Sequence, residues 1–147
     1  MADLHTIRLH GPWTAQVLDS QNGCDVASPE SRQTIPSDWG NWLGSSFCGR
    51  VEYRRRFGLP TQLDPNQAVW LVFESVDFEA SITLNEIELG TLRLGDSPFR
   101  AEVRQRLLHS NYLNVIVELP SEVDRGERNS MAGGLIGSVR LEIASSD

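Results

Sequence analysis

Lysine is absent from this chain, so its thirteen positive side chains are all arginine, and twenty acids outweigh them to a formal net charge of -7. An acidic chain repels phosphate backbones at long range, which sets aside nucleic acid as a partner. The run Arg54-Arg55-Arg56 does not reverse this, because neighbours in a strand point to opposite faces and the three cannot form one patch. Cysteine is scarce as well. Cys24 and Cys48 show no C-x-x-C spacing and no histidine at ligand distance, which favours two free, partly buried thiols over a disulfide or a metal site. The histidines are three, His5, His10 and His109, and none adjoins a nucleophile-elbow pattern. No apolar run reaches membrane length, and the opening Met1-Ala2-Asp3-Leu4-His5 lacks an apolar leader. The expectation is a soluble, cytoplasmic protein without membrane contact and without a cofactor.

Helical signal is also thin: only Val103 to His109 has room for a turn or two, without an apolar stripe. What the chain has is strands. Val51, Tyr53, Arg55 and Phe57 alternate with Glu52, Arg54 and Arg56, a period-two pattern with one half-buried face. Val69-Trp70-Leu71-Val72-Phe73 is a continuous apolar run, the mark of a strand covered on both faces. Ala80 to Leu84 and Ile87 to Leu89 read as a hairpin across Asn85-Glu86. Leu113, Val115, Val117 and Leu119 alternate, as do Val139, Leu141 and Ile143. Ile7 to Trp13 and Thr14 to Leu18 complete the set around the Gly11-Pro12 break. Many short strands with Gly, Pro, Asn and Ser between them predict an all-β, single-domain sandwich or jelly roll over residues 1–147, with its core at about 7–143. The ends, Met1 to His5 and Ala144 to Asp147, read as disordered. Two long loops, Asp19 to Gly49 and Pro120 to Gly137, are where function is expected.

Several of these segments carry a family pattern. The stretch Phe73 to Gly90 resembles F-x-G-V-D-x-x-A-x-V-x-x-N-G-x-x-x-G, with Ser75 and Glu86 in place of two glycines. Ile7-Arg8-Leu9-His10-Gly11-Pro12-Trp13 looks like I-x-L-N-G-x-W, and Ile35-Pro36-Ser37-Asp38-Trp39 like V-P-x-x-W. Tyr53-Arg54-Arg55-Arg56-Phe57 with Leu59-Pro60, then Ser97-Pro98-Phe99 with Leu107, follow in the same order, Glu102 standing where an aspartate is usual. Asn111-x-Leu113-x-Val115-x-Val117 and Gly134 to Leu141 close the series, with Gly137 where arginine is usual. Together they resemble the sugar-binding domain of family 2 glycoside hydrolases. That resemblance implies a galactose-binding-like jelly roll standing alone, without the catalytic barrel in which those enzymes do their chemistry. It also implies a substrate-contacting aspartate six residues before the closing glycine. Arg128 holds that place here, with Glu127 one position away.

The chemistry expected is therefore binding. A sugar site needs an aromatic platform for the apolar ring face and planar polar groups for the hydroxyls. Trp13 and Trp70 lie in apolar strand contexts and are expected in the core, and the resemblance makes Trp39 a packing plug. Trp42, in the polar segment Gly40 to Ser46, is the candidate platform, with Asn41 and Asp38 as hydroxyl partners. Asp77 or Glu74 is read as an ion-pair partner for Arg55 rather than a functional acid. Glycoside hydrolysis needs two carboxylates facing each other at about 5–9.5 Å; none of the twenty acids lies in a motif for it. The leading expectation is a non-catalytic carbohydrate-binding module or an accessory to a carbohydrate-active enzyme. Its alternative is a protein-interaction module that keeps the fold, with the loop at 120–137 as its contact surface. An exposed aromatic flanked by Asn, Asp or Arg favours sugar, and an exposed apolar patch favours protein.

Overall fold

A computed structural model describes residues 4–9, 11, 13–21, 31–33, 48–60, 63–74, 76, 79–93, 98–119 and 138–145. Among the described residues ten strands run in order: β1 Leu4–Arg8, β2 Trp13–Gln21, β3 Ser31–Gln33, β4 Cys48–Gly58, β5 Gln67–Phe73, β6 Glu79–Leu84, β7 Ile87–Arg93, β8 Phe99–Glu102, β9 Ser110–Leu119 and β10 Val139–Ser145. A 3₁₀ turn at Arg104–Arg106 precedes β9, where the short helical turn was expected. The strands form a four-stranded sheet, β1-β10-β5-β8, and a six-stranded sheet, β3-β2-β4-β9-β6-β7. Every pairing is antiparallel.

One core lies between the two sheets. The alternating apolar positions point inward, as period two requires: Val69, Leu71 and Phe73 from β5 meet Val51, Tyr53, Leu113, Val115 and Val117 from β4 and β9. Trp13 is fully buried there, and its Nε1–H donates to Leu9 O at 2.6 Å, so the indole packs without an orphaned donor. Phe73 and Phe99 meet edge-to-face at 6.1 Å between ring centroids. The hairpin β6–β7 turns on Asn85 and Glu86 with φ of 52° and 69°, the two positive values of the expected type I′ turn. At Gly90, φ is +151°, and a Cβ would meet the Phe99 ring at 3.1 Å. The positive φ favours glycine at that signature position, and a Cβ there would also oblige the Phe99 ring to give by a few tenths of an ångström.

The structure departs from the sequence expectations in four places. Leu4 and His5 are paired with Ala144 and Ile143, so strand pairing reaches past the expected core at both ends. Within the expected loop from Asp19 to Gly49, β2 runs on to Gln21 and Ser31–Gln33 pairs with Trp13 to Ala15. Trp70 is not in the core: it points away from Val69 and Leu71, half-buried on the outer face of the four-stranded sheet, with the Arg100 guanidinium 5.3 Å from its ring centroid. Finally, Glu74 pairs with Arg140 rather than Arg55; Arg55 donates from Nη1 to Arg56 O at 3.1 Å. Asp77, Cys24 and the Cys48 side chain lie outside the described residues, as does the Pro120 to Gly137 segment.

Candidate functional site

Strands expose one phase of their side chains when the other fills the core. On β4 the outer phase is Glu52, Arg54 and Arg56; on β9 it is Tyr112, Asn114 and Ile116. The antiparallel register sets them side by side as Glu52 opposite Ile116, Arg54 opposite Asn114 and Arg56 opposite Tyr112. Thr14 of β2 flanks Arg54, and Thr83 of β6 flanks Asn114. Arg54 and Arg56 thus share one face, being two residues apart, while Arg55 between them belongs to the other phase, so two of the three arginines, not all three, stand side by side. Cross-strand neighbours on one face lie close enough to act together.

At the centre stands Tyr112, 52% exposed, with the Arg56 guanidinium 5.1 Å from its ring centroid. Glu52 orders the adjoining polar groups: its carboxylate accepts from Asn114 Nδ2 at 3.2 Å and pairs with Arg54 Nε at 3.6 Å. Arg56 Nη2 donates to Ser110 Oγ at a long 3.4 Å. Two hollows flank the Tyr112–Asn114 row. One, of about 430 Å³, is bordered by Thr14, Arg54 and Arg56, with no carboxylate lining it among the described residues. The other, of about 640 Å³, carries Glu52, Glu86, Thr83 and Leu108. Volumes of this order suit a small ligand.

The end of β9 is anchored by two asparagines. Asn85 in the hairpin turn accepts the Tyr112 N–H at its Oδ1, 2.9 Å, while its Nδ2 donates to Arg106 O and Asn111 Oδ1 at 3.0 and 2.9 Å. Asn111 is fully buried; its Oδ1 also accepts the Leu108 N–H at 2.8 Å, and its Nδ2 donates to Leu108 O at 2.9 Å and Phe57 O at 3.3 Å. A buried amide with every group used fixes the chain around it. Both asparagines belong to the family patterns quoted above. Their role is to hold the strand that presents Tyr112.

The outer face of the four-stranded sheet is built differently. Glu142, 7% exposed, accepts from Arg100 Nη1 at 2.7 Å and Arg140 Nε at 2.8 Å, and Arg140 reaches on to Glu74. The bond from Arg140 holds the Glu142 carboxyl below the usual carboxylate range against the upward push of burial, and Arg100 adds to it. Val72, opposite Arg100 and Arg140 in the register, is fully buried on this face.

Asp38, Asn41 and Trp42, the site residues expected from the sequence, lie outside the described residues, as do Glu127 and Arg128. Tyr112, Arg56 and Asn114 were missed as a site, although the signal was present: they are the off-core phase of two strands read for their apolar phase. Among the described residues no three His, Cys, Asp or Glu side chains gather to hold a metal, and no helix is long and apolar enough to cross a membrane.

Two antiparallel sheets around one core, with a polar outer face on each, define a β-sandwich of the galactose-binding type. The family model described as glycosyl hydrolase 2 galactose-binding domain-like matches residues 41–139, and the chain belongs to that family. Solved structures share the fold. An FMN-binding β-glucuronidase from Faecalibacterium prausnitzii superposes with a TM-score of 0.77 at 21% identity, covering 97% of this chain and 23% of that one. A Bifidobacterium dentium β-glucuronidase, complexed with coumarin-3-O-glucuronide, gives 0.73 at 18%, covering 98% and 30%. A Bacteroides vulgatus β-glycosidase gives 0.70 at 23%, covering 95% and 20%. The chain therefore spans less than a third of the length of each of these structures. No curated protein matches it.

Proposed function

We propose that this chain is a non-catalytic carbohydrate-binding module, accessory to a carbohydrate-active enzyme, and that it binds through the outer face of its six-stranded sheet. The observation that carries this reading is Tyr112: an aromatic ring half open to solvent, flanked by Arg56 and by an Asn114 that Glu52 holds in place. A phenol offers an apolar surface for a pyranose ring and a hydroxyl at its rim, with only two side-chain torsions to freeze. The neighbouring amide and guanidinium groups supply donors for ring hydroxyls. A fold shared with whole glycosidases argues for a setting near carbohydrate, while function still rests on the site.

Isothermal titration of the purified chain against hits from a glycan array tests the reading. Tyr112→Ala should remove binding while leaving the melting temperature nearly unchanged. No glycan binding at millimolar concentration would end it. Trp42→Ala is the informative contrast. If that variant loses binding and Tyr112→Ala does not, the platform is the Asp38–Asn41–Trp42 segment.

A second reading has its own observation. Leu108, 57% exposed, lines the same hollow as Tyr112, and Leu59 and Ile87 are also exposed at 41% and 44%. Exposed apolar side chains near an aromatic are what a protein-interaction module presents. Leu108→Glu separates the two: a sugar bound at Tyr112 and Arg56 tolerates it, and a protein contact does not.

A further inference from the structure

We infer that the saccharide taken by this face is acidic, a uronic-acid-containing oligosaccharide whose carboxylate is bound by Arg56 while its ring lies on Tyr112. The inference rests on the carbohydrate-binding reading above and adds the ligand's charge and orientation to it.

Most of the charged arginine heads on the described strands are already engaged. Arg100 and Arg140 are held by Glu142 and Glu74, Arg93 faces Glu79 at 3.7 Å, and Arg104 donates to the Asp64 and Gln67 carbonyls. Arg54 lies against Glu52. Arg56 differs. It is exposed, and among the described residues no carboxylate reaches it; its contacts are the Tyr112 ring and one long bond to Ser110. A guanidinium carries five donors in a planar fork that matches a carboxylate edge to edge, so most of its hydrogen-bonding capacity here is unspent.

The surroundings select the sign of the ligand. The hollow beside Arg56 is lined by arginine, threonine, asparagine and tyrosine, and by no acid among the described residues. The hollow across the Tyr112–Asn114 row carries Glu52 and Glu86. The net charge of -7 repels an anion from afar, but charges beyond about 8 Å are screened at physiological salt, so the lining decides. An acidic sugar therefore places its carboxylate on the β2–β4 side and its uncharged hydroxyls toward β6. Free phosphate or sulfate would meet the same fork, but only a sugar also uses the ring.

A matched pair of ligands tests this: a linear oligogalacturonide and its fully methyl-esterified form, titrated into the full chain. The two share their rings and differ in charge. The free acid should bind about tenfold tighter, the size expected of hydrogen bonds to a charged group. Raised ionic strength should shrink that ratio. Arg56→Gln should abolish the preference, bringing affinity for the free acid down to that for the ester, while Arg56→Lys, a point charge without the fork, should keep part of it. Tyr112→Ala should remove binding of both ligands. Equal binding of acid and ester, with a neutral glycan still bound, would overturn the acidic ligand and leave the carbohydrate reading standing. Loss of acid and ester binding alike in Arg56→Gln, with unchanged melting, would show that Arg56 only props the ring, and would overturn its assignment. Binding of no saccharide of either kind would overturn the inference and the reading beneath it together.

Discussion

The two outer faces of this sandwich use the same pair of groups to opposite ends. On each an arginine lies over an aromatic ring, Arg100 over Trp70 at 5.3 Å and Arg56 over Tyr112 at 5.1 Å. On the four-stranded face the arginine is also tied to Glu142, which is tied to Arg140 and through it to Glu74, and the network closes over a buried Val72. On the six-stranded face Glu52 ties Arg54 and Asn114, while Arg56 and Tyr112 stay open. A face whose charges satisfy one another contributes to stability, and one whose charges are left to solvent has capacity for a ligand. The difference comes from where the carboxylates fall. Glu142 is flanked by Trp70 of β5 and Thr6 of β1, with arginines one row away. The residues beside Arg56 on β9 and β4 are Tyr112, Asn114 and Arg54.

The largest loss of stability is expected from the core between the two faces. Trp13→Ala removes a fully buried indole and its bond to Leu9 O, and should cost about 3–5 kcal/mol by denaturant unfolding. That value sets the scale for a core aromatic. Next in size is the closed face. Glu142→Ala leaves Arg100 without its carboxylate and Arg140 with Glu74 alone, and should cost roughly 1.5–3 kcal/mol. Because the folded Glu142 carboxyl titrates below its usual range, its contribution is present above the unfolded value of about 4.3 and fades as pH falls through the lower folded value. Melting temperature should decline below about pH 4, and Glu142→Gln should flatten part of that slope. An unchanged slope would mean that this network does not couple to protonation.

The apolar phases of the strands were legible in the sequence because burial leaves a period-two trace that needs no partner. The hairpin turn at Asn85-Glu86 was legible for a similar local reason. What required register was not. Trp70 was misread because a continuous apolar run, Val69 to Phe73, does not say which face meets the core. The outer face in fact carries a cation-covered tryptophan and a valine roofed by arginines. Ser31–Gln33 and Phe99–Glu102 are strands made by their neighbours' edges, too short and too polar to announce themselves. The Tyr112 site joins β4 to β9, far apart in the chain. The sequence held both off-core phases without saying that they pair.

Two further substitutions compare the aromatics directly. Trp70→Ala should cost roughly 1–2 kcal/mol, a half-buried ring plus its cation contact. Tyr112→Ala should stay within about 0.5 kcal/mol of the parent, as surface changes do. Equal costs would mean that the two faces are alike in stability and that the open one is structural. Measuring both in one denaturant series, with slopes checked for constancy, keeps the comparison clean.

The smallest expected effect is a gain, and it lies on the rim of the open face. Glu86 is exposed and lines the hollow beside Tyr112, yet its φ is 69°, a left-handed conformation that a residue with a Cβ resists. Asn85 shares the strain at 52° but is held by its bonds to Tyr112, Arg106 and Asn111. No hydrogen bond or ion pair of Glu86 is seen among the described residues, so nothing in the turn offsets its strain. Glu86→Gly removes the strained Cβ at the cost of added freedom in the unfolded chain, and relief outweighs that cost where φ is positive. The expected result is a stabilisation of roughly 0.5–1 kcal/mol, read as a higher denaturation midpoint at constant slope. Asn85→Gly, by contrast, should destabilise, since it cuts the bonds that hold β9 to the turn. If Glu86→Gly lowers the midpoint instead, the Glu86 side chain supports the rim of the hollow, and the open face is more tightly built than its exposed tyrosine suggests.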